Sequence, residues 1–177
     1  MIRRLGQRLQ RDERGFTLPE LLVVMVVIGL LAAIAYAVFL GQRTKAKDAE
    51  AKDNVAALAV NVESCRVDSG DFTLCDTKGK LKDGSLPIDA GVSPNAVCES
   101  VTGVPPQTPP AAGKVAVLGS STDCYLIMAK TDDGHTFWLL HTGDPPVMRY
   151  CTPPGQAGCH QDASIGDPTV GSWSKPN

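Results

Sequence analysis

The most prominent pattern along the chain is a continuous apolar run near its beginning. Leu21 to Leu40 contains 20 consecutive residues without a charged side chain. A helix of that length extends about 30 Å, which matches the hydrocarbon core of a bilayer. A buried core helix is the alternative, but a domain of this size rarely encloses a helix that is apolar on every face. The run therefore predicts a membrane-spanning helix.

The apolar pattern changes after Gly41 from continuous to periodic. Five residues recur at steps of three and four, which places them on a single face of a helix. Charged side chains cover the other faces, and Gly70 is a typical residue to follow a helix end. We expect one helix of about 50 residues that is apolar in its first half and amphipathic in its second. The stripe consists of Ala51, Val55, Leu58, Val62 and Cys65.

Short segments rich in β-branched and aromatic residues follow the helical part. Three of them are predicted strands, and a fourth adds an edge strand. Thr131-Asp132-Asp133-Gly134 is a typical hairpin turn between the second and third. The predicted fold class is α+β, a long N-terminal helix packed against a small antiparallel sheet of three or four strands. The predicted strands are Lys114 to Leu118, Cys124 to Lys130, His135 to His141 and Pro145 to Tyr150.

Positive charge is concentrated before the apolar run. The first 15 residues carry five arginines against Asp12 and Glu13, a net charge of +3. Such flanks stay in the cytoplasm, so we expect the residues after Leu40 on the opposite side of the membrane. A secretory signal peptide is the competing interpretation. Its apolar stretch is usually shorter and ends at a small-residue cleavage site, whereas this run continues into a polar helical sequence.

The junction between the basic segment and the apolar run carries a specific motif. It reads Arg14-Gly15-Phe16-Thr17-Leu18-Pro19-Glu20-Leu21. This motif resembles the type III signal of prepilins, with a basic leader, a glycine, an aromatic residue and a glutamate four residues later. The resemblance to type IV pilins extends from Gly15 to Ala35. It implies that a prepilin peptidase cleaves after Gly15 and N-methylates Phe16.

Glu20 is part of this motif, whereas Pro19 departs from it. An ionised carboxylate beside an apolar helix is costly and usually has a functional partner. The natural partner is the new ammonium group of Phe16 in a neighbouring subunit, so we expect Glu20 to act in assembly. The alternative is that Glu20 only complements the helix macrodipole. Pro19 replaces the isoleucine of many pilins, but proline is tolerated in the first turn of a helix.

The polarity pattern and the pilin resemblance together predict four segments. The predicted segments are a cleaved cytoplasmic leader (1–15), a hydrophobic transmembrane and filament-core helix (16–40), an amphipathic continuation of that helix (41–69), and a disulfide-linked globular head with a C-terminal loop (70–177).

All six cysteines lie beyond the apolar run. An even number of cysteines in an exported domain with a small core indicates disulfides. None of the spacings forms the C-x-x-C pair that is typical of zinc sites. Several connectivities remain open, but Cys65–Cys75 and Cys151–Cys159 close the shortest loops and are favoured. Cys98 and Cys124 then remain as the third pair.

The sequence supports no catalytic, metal or cofactor site. His135, His141 and His160 are interpreted as surface or turn histidines rather than metal ligands. Asp132 and Asp133 are interpreted as turn residues rather than calcium ligands. The chain contains no nucleophile elbow, phosphate-binding loop or distinctive pair of carboxylates, so enzyme activity is not supported.

The pilin resemblance implies a structural subunit of a type IV pilus or a related filament. It implies a single-pass membrane precursor that ends in an extracellular filament or on the cell surface. The implied partners are identical or related pilin subunits, the prepilin peptidase, a cytoplasmic assembly ATPase, a membrane platform protein and the membrane itself.

Two other functions remain open. One is a pseudopilin of a type II secretion or DNA-uptake system, and the other is a membrane-anchored extracytoplasmic binding domain that never polymerises. Removing the five arginines and two acidic residues of the leader from totals of 17 and 19 leaves 12 basic and 17 acidic side chains. This balance disfavours binding to nucleic acid.

Overall fold

The computed structural model describes two compact units. They are Met1–Gln42 and Arg43–Asn177. Residues 1–14 of the predicted leader, Cys98 and most of the irregular segment after the helix lie outside the described residues. The described residues are 15–75, 81, 85–90, 108–143, 147–156, 158–161, 165 and 167–173, with the side chain of Ala37 excepted.

A single helix, α1, extends over Leu18–Ser69. Its last turn is closed by the amide of Gly70, which donates to the carbonyl oxygen of Arg66 at 2.7 Å. Gly70 has a φ of 92°, the left-handed conformation that a side chain disfavours and that commonly follows a helix end. The helix therefore ends at the position that the sequence predicts.

The strands form one antiparallel sheet in the order β1-β2-β3-β4-β6-β5. The β2–β3 turn is closed by two backbone hydrogen bonds, one from the amide of Gly134 to the oxygen of Thr131 at 3.1 Å and one from the amide of Thr131 to the oxygen of His135 at 2.8 Å. The strands are β1 Lys114–Ser120, β2 Cys124–Lys130, β3 Thr136–Thr142, β4 Met148–Thr152, β5 His160–Gln161 and β6 Gly171–Ser172.

Both faces of this sheet are buried. One face packs on the apolar stripe of α1, where Val55, Leu58 and Val62 have no exposed surface. The opposite face forms a second cluster around Trp138, which is also fully buried. The predicted α+β architecture, a long N-terminal helix packed against an antiparallel sheet, is confirmed.

The predicted number and arrangement of strands were wrong in two respects. The described sheet has six strands, because two-residue strands form in the part expected to be a loop and tail. β4 is also not an edge strand, since it lies between β3 and β6. The close approach of β5 to β6 depends on Gly171, where a side chain would collide with the backbone oxygen of His160. Such short pairings leave no alternating pattern in the sequence.

Candidate assembly site at the start of the helix

The predicted cleavage site lies just before the first turn of α1. Gly15, Phe16 and Thr17 are non-helical, and the helix begins at Leu18. The carbonyl oxygen of Thr17 accepts the first helical hydrogen bonds, from the amides of Glu20 at 3.1 Å and Leu21 at 3.2 Å. Thr17 is therefore the N-cap residue of the helix.

Glu20 turns back toward this cap. Its Oε2 atom lies 3.4 Å from the backbone nitrogen of Thr17 and 3.2 Å from the Thr17 hydroxyl. The amide and hydroxyl both donate to the carboxylate, so the pair has the return contact of a capping box. The sequence contains the Thr-x-x-Glu pattern of a capping box, a role that we did not predict for Glu20. Pro19 occupies the first turn, as expected.

The two residues around the start of the helix are highly exposed. Phe16 is 85% exposed and Leu18 is 87% exposed. No heavy atom beyond the neighbouring residues approaches within 4 Å of the position that a side chain of Gly15 would occupy. The Gly15–Phe16 bond is thus in an exposed, non-helical segment immediately before a capped helix.

The first unit also exposes a continuous apolar surface. The helix is long and apolar enough to cross a membrane, and no part of its most apolar 18-residue window is buried. The described side chains from Leu21 to Leu40 are all exposed, for example Leu30 at 64% and Ile34 at 71%. A soluble monomer rarely exposes so large a contiguous apolar patch, so this surface indicates contact with lipid or with other protein helices.

A buried polar contact joins α1 to the β2–β3 turn. Asp48 is 2% exposed, and its Oδ1 atom lies 2.8 Å from Nδ1 of His135, which is 9% exposed. Lys47 extends over the same turn, with its Nζ atom 3.1 Å from a carboxylate oxygen of Asp132 and 3.8 Å from one of Asp133. His135 is thus a turn histidine, as expected, but it is buried rather than on the surface. Its partner Asp48 is 87 residues away in sequence, which no local pattern reveals.

A second polar group lies between α1, β2 and β3. The ring of His141 is stacked on that of Tyr125, with centroids 4.9 Å apart, and its Nε2 atom is 3.8 Å from Oε1 of Glu63. Burial raises the pKa of Tyr125 above its ordinary value, and the nearby negative charge of Glu63 and a hydrogen bond to its carboxylate add to this shift. His141 is half-buried rather than on the surface, whereas His160 is exposed as expected.

Lys52 lies one helical turn after Asp48, with its Nζ atom close to Gly158 in the segment between Cys151 and Cys159. Its Nζ atom is 4.9 Å from the centre of the Phe137 ring, a cation–π contact. Burial lowers the pKa of Lys52, and the carboxylate of Asp48 opposes that shift. These polar groups connect the helix to the sheet. Among the described residues, no three His, Cys, Asp or Glu side chains are grouped as a metal site would require.

Two disulfides close short loops in the second unit. Cys65 is bonded to Cys75 at the end of α1, and Cys151 is bonded to Cys159 after β4. Both are the pairs that the short sequence separations favour. Cys98 lies outside the described residues, so its pairing with Cys124 stays a prediction.

Residues 10–36 match the family model described as the prokaryotic N-terminal methylation motif. The match includes the predicted cleavage site at Gly15 and Phe16, and it includes Glu20. The resemblance of this segment to prepilins is therefore confirmed.

Three relatives share part of the sequence. The chain is 47% identical over 51 residues to the type IV major pilin protein PilA of Myxococcus xanthus, covering 29% of this chain and 23% of that protein. It is 31% identical over 64 residues to the type II secretion system core protein G of Dickeya chrysanthemi, covering 36% of this chain and 42% of that protein. It is 33% identical over 60 residues to the protein of the same name from Pseudomonas aeruginosa, covering 34% and 42%.

The aligned regions are partial on both sides. The chain spans less than half the length of the curated relatives it matches. No solved structure matches the chain. These relatives are named for structural and secretion roles, and none of the three names is that of an enzyme.

Proposed function

We propose that this protein is a structural subunit of a type IV pilus or a pilus-like filament. One observation carries the proposal. The methylation motif places Gly15, Phe16 and Glu20 at the start of a helix whose apolar surface is exposed on all sides. None of the described residues covers this surface, and packing against the same surface of other copies would bury it.

Maturation begins in this proposal with hydrolysis of the Gly15–Phe16 bond by a prepilin peptidase. Water supplies the hydroxyl of the new Gly15 carboxyl group and the proton that Phe16 nitrogen takes up as a new amine. The basic leader remains in the cytoplasm, and the second unit is exported across the membrane. Methylation of the Phe16 amine follows: a methylsulfonium donor transfers its methyl group to the nitrogen and leaves as a thioether, and the nitrogen releases a proton. Assembly then uses the ATPase and platform protein implied by the pilin resemblance.

Glu20 is the assembly residue in this proposal. Its carboxylate pairs with the Phe16 ammonium of a neighbouring subunit, which neutralises two charges that are costly in an apolar surrounding. We expect Glu20→Ala to be cleaved normally but to leave few or no surface filaments, as seen by electron microscopy of cells complemented with each variant. Glu50→Ala, which removes an exposed carboxylate farther along α1, serves as the matched control and keeps normal filaments. Normal filaments from Glu20→Ala would contradict this role.

The second candidate function is a pseudopilin of a type II secretion system. It is favoured by the two relatives named type II secretion system core protein G. A deletion strain separates the two functions. Loss of surface filaments together with normal protein secretion supports a pilus subunit. Normal filaments together with secreted enzymes that accumulate inside the outer membrane support a pseudopilin. A membrane-anchored domain that never polymerises would keep residues 1–15.

A further inference from the structure

Thr17 makes every hydrogen bond that the structure gives to the Glu20 carboxylate within the described residues. Both the amide and the hydroxyl of Thr17 face Oε2 of Glu20, at 3.4 Å and 3.2 Å. Both residues are exposed, so surrounding side chains do not force this contact. The contact therefore reflects the local preference of a Thr-x-x-Glu sequence at a helix start.

The contact fixes the direction of a flexible side chain. A glutamate on the outer face of a helix can occupy many rotamers, most of which point away from the helix end. Hydrogen bonds to Thr17 hold the Glu20 carboxylate at the N-terminal end of α1 instead. Thr17 directly follows Phe16, so the carboxylate is held one residue from the nitrogen that cleavage would convert into an amine.

We propose that Thr17 is a positioning residue for assembly, which holds the Glu20 carboxylate at the helix start so that it can receive the ammonium group of an incoming subunit. This inference rests on the proposed function of Glu20 and adds a residue to it. The hydroxyl of Thr17 also partly satisfies the carboxylate in the uncleaved chain, where no such ammonium group exists. An unsatisfied carboxylate would be costly at the edge of an apolar helix.

The test compares two substitutions at Thr17 in the full chain, expressed in cells. Thr17→Val keeps the shape but removes the hydroxyl, and Thr17→Ser keeps the hydroxyl. We expect both variants to be cleaved after Gly15, as measured by mass spectrometry. Thr17→Val is expected to give about fivefold fewer filaments, the effect of losing one capping hydrogen bond, and Thr17→Ser is expected to give wild-type numbers.

Three results would overturn the inference. They are normal filaments from Thr17→Val, equal loss of filaments from both variants, and failure of Thr17→Val to be cleaved, because the defect would then precede assembly.

A second measurement separates this inference from the proposed function. Solid-state NMR of the uncleaved chain in a bilayer measures the distance from the Glu20 carboxyl carbon to the Thr17 nitrogen. If the wild-type chain is never cleaved, the proposed function fails, and a long Glu20–Thr17 distance refutes the positioning role independently.

Discussion

At the scale of single residues, the buried contact between Asp48 and His135 connects the helix to the sheet. The second carboxylate oxygen of Asp48 is buried and accepts no hydrogen bond from any donor among the described residues. A buried carboxylate is tolerated only when it is paired, so the contact with His135 is important for stability.

Removing the charge of Asp48 tests this contact. We expect Asp48→Asn to lower the free energy of unfolding by about 1–3 kcal/mol, because the buried hydrogen bond to His135 loses its charged partner. Thermal and urea denaturation of the full chain in detergent measure the change. Asp53→Asn, at an exposed position of the same helix, serves as the control with a change within about 0.5 kcal/mol. Equal effects at both positions would refute the importance of the buried pair.

Tyr125 predicts a dependence of stability on alkaline pH. Its folded-state pKa is raised above the ordinary value of 10.0, so the folded protein keeps this proton where the unfolded chain loses it. The stability contributed by Tyr125 is present below pH 10 and is lost as the pH rises above that value. Tyr125→Phe should remove this loss and flatten the unfolding free energy between neutral and strongly alkaline pH. An unchanged alkaline slope in the variant would contradict the raised pKa.

At the scale of the elements, the helix uses two different surfaces in its second half. Val55 is fully buried against the sheet, whereas Val60 is 69% exposed on another face. We expect Val55→Ala to cost roughly 2 kcal/mol of unfolding free energy, because it removes buried methyl groups and leaves a cavity. The same substitution at Val60 should change stability by less than about 0.5 kcal/mol. Chemical denaturation of both variants gives a direct comparison, and equal losses would refute the assigned helix face.

The second disulfide loop is another element with a testable role. Cys151–Cys159 connects the end of β4 to the residue before β5, a separation of 8 residues. Replacing both cysteines with serine should lower the unfolding free energy by roughly 2–4 kcal/mol, because the unfolded chain gains freedom. Thermal unfolding with and without a reducing agent measures this effect. The double variant should no longer respond to reduction at this loop, and an unchanged melting temperature would contradict the role.

The elements differ in how well the sequence predicts them. β2 has the predicted bounds because its seven residues are nearly all apolar and are followed by a strong turn signal. The apolar stripe of the helix could be predicted because its period extends over four turns, and the burial of its side chains confirms it. β5 and β6 could not be predicted, since two-residue strands depend on tertiary pairing.

In the candidate site, too, local features could be predicted from the sequence and long-range contacts could not. The motif at Gly15, Phe16 and Glu20 is local and could be recognised from the sequence. The Thr17 cap was also readable, as a Thr-x-x-Glu pattern at a helix start. The contact of Asp48 with His135 joins positions 87 residues apart, so it becomes visible only once the helix and sheet are packed together.

At the scale of the whole molecule, the chain combines two units with different requirements. Met1–Gln42 contains an apolar helical surface that no part of the same chain buries among the described residues. Arg43–Asn177 has its own core on both sides of a sheet, together with two described disulfides. The first unit is therefore the part that we propose to enter the membrane and to polymerise, and the second is the domain that the proposed filament would display.

We propose that the chain is cleaved after Gly15 and polymerised through the helix that follows. Filaments sheared from the cell surface can be purified, and their subunit can be analysed by intact mass and by N-terminal peptide sequencing. We expect a subunit that begins at a methylated Phe16 and contains peptides from Arg43–Asn177. A protein that is absent from such filaments and retains residues 1–15 would contradict it.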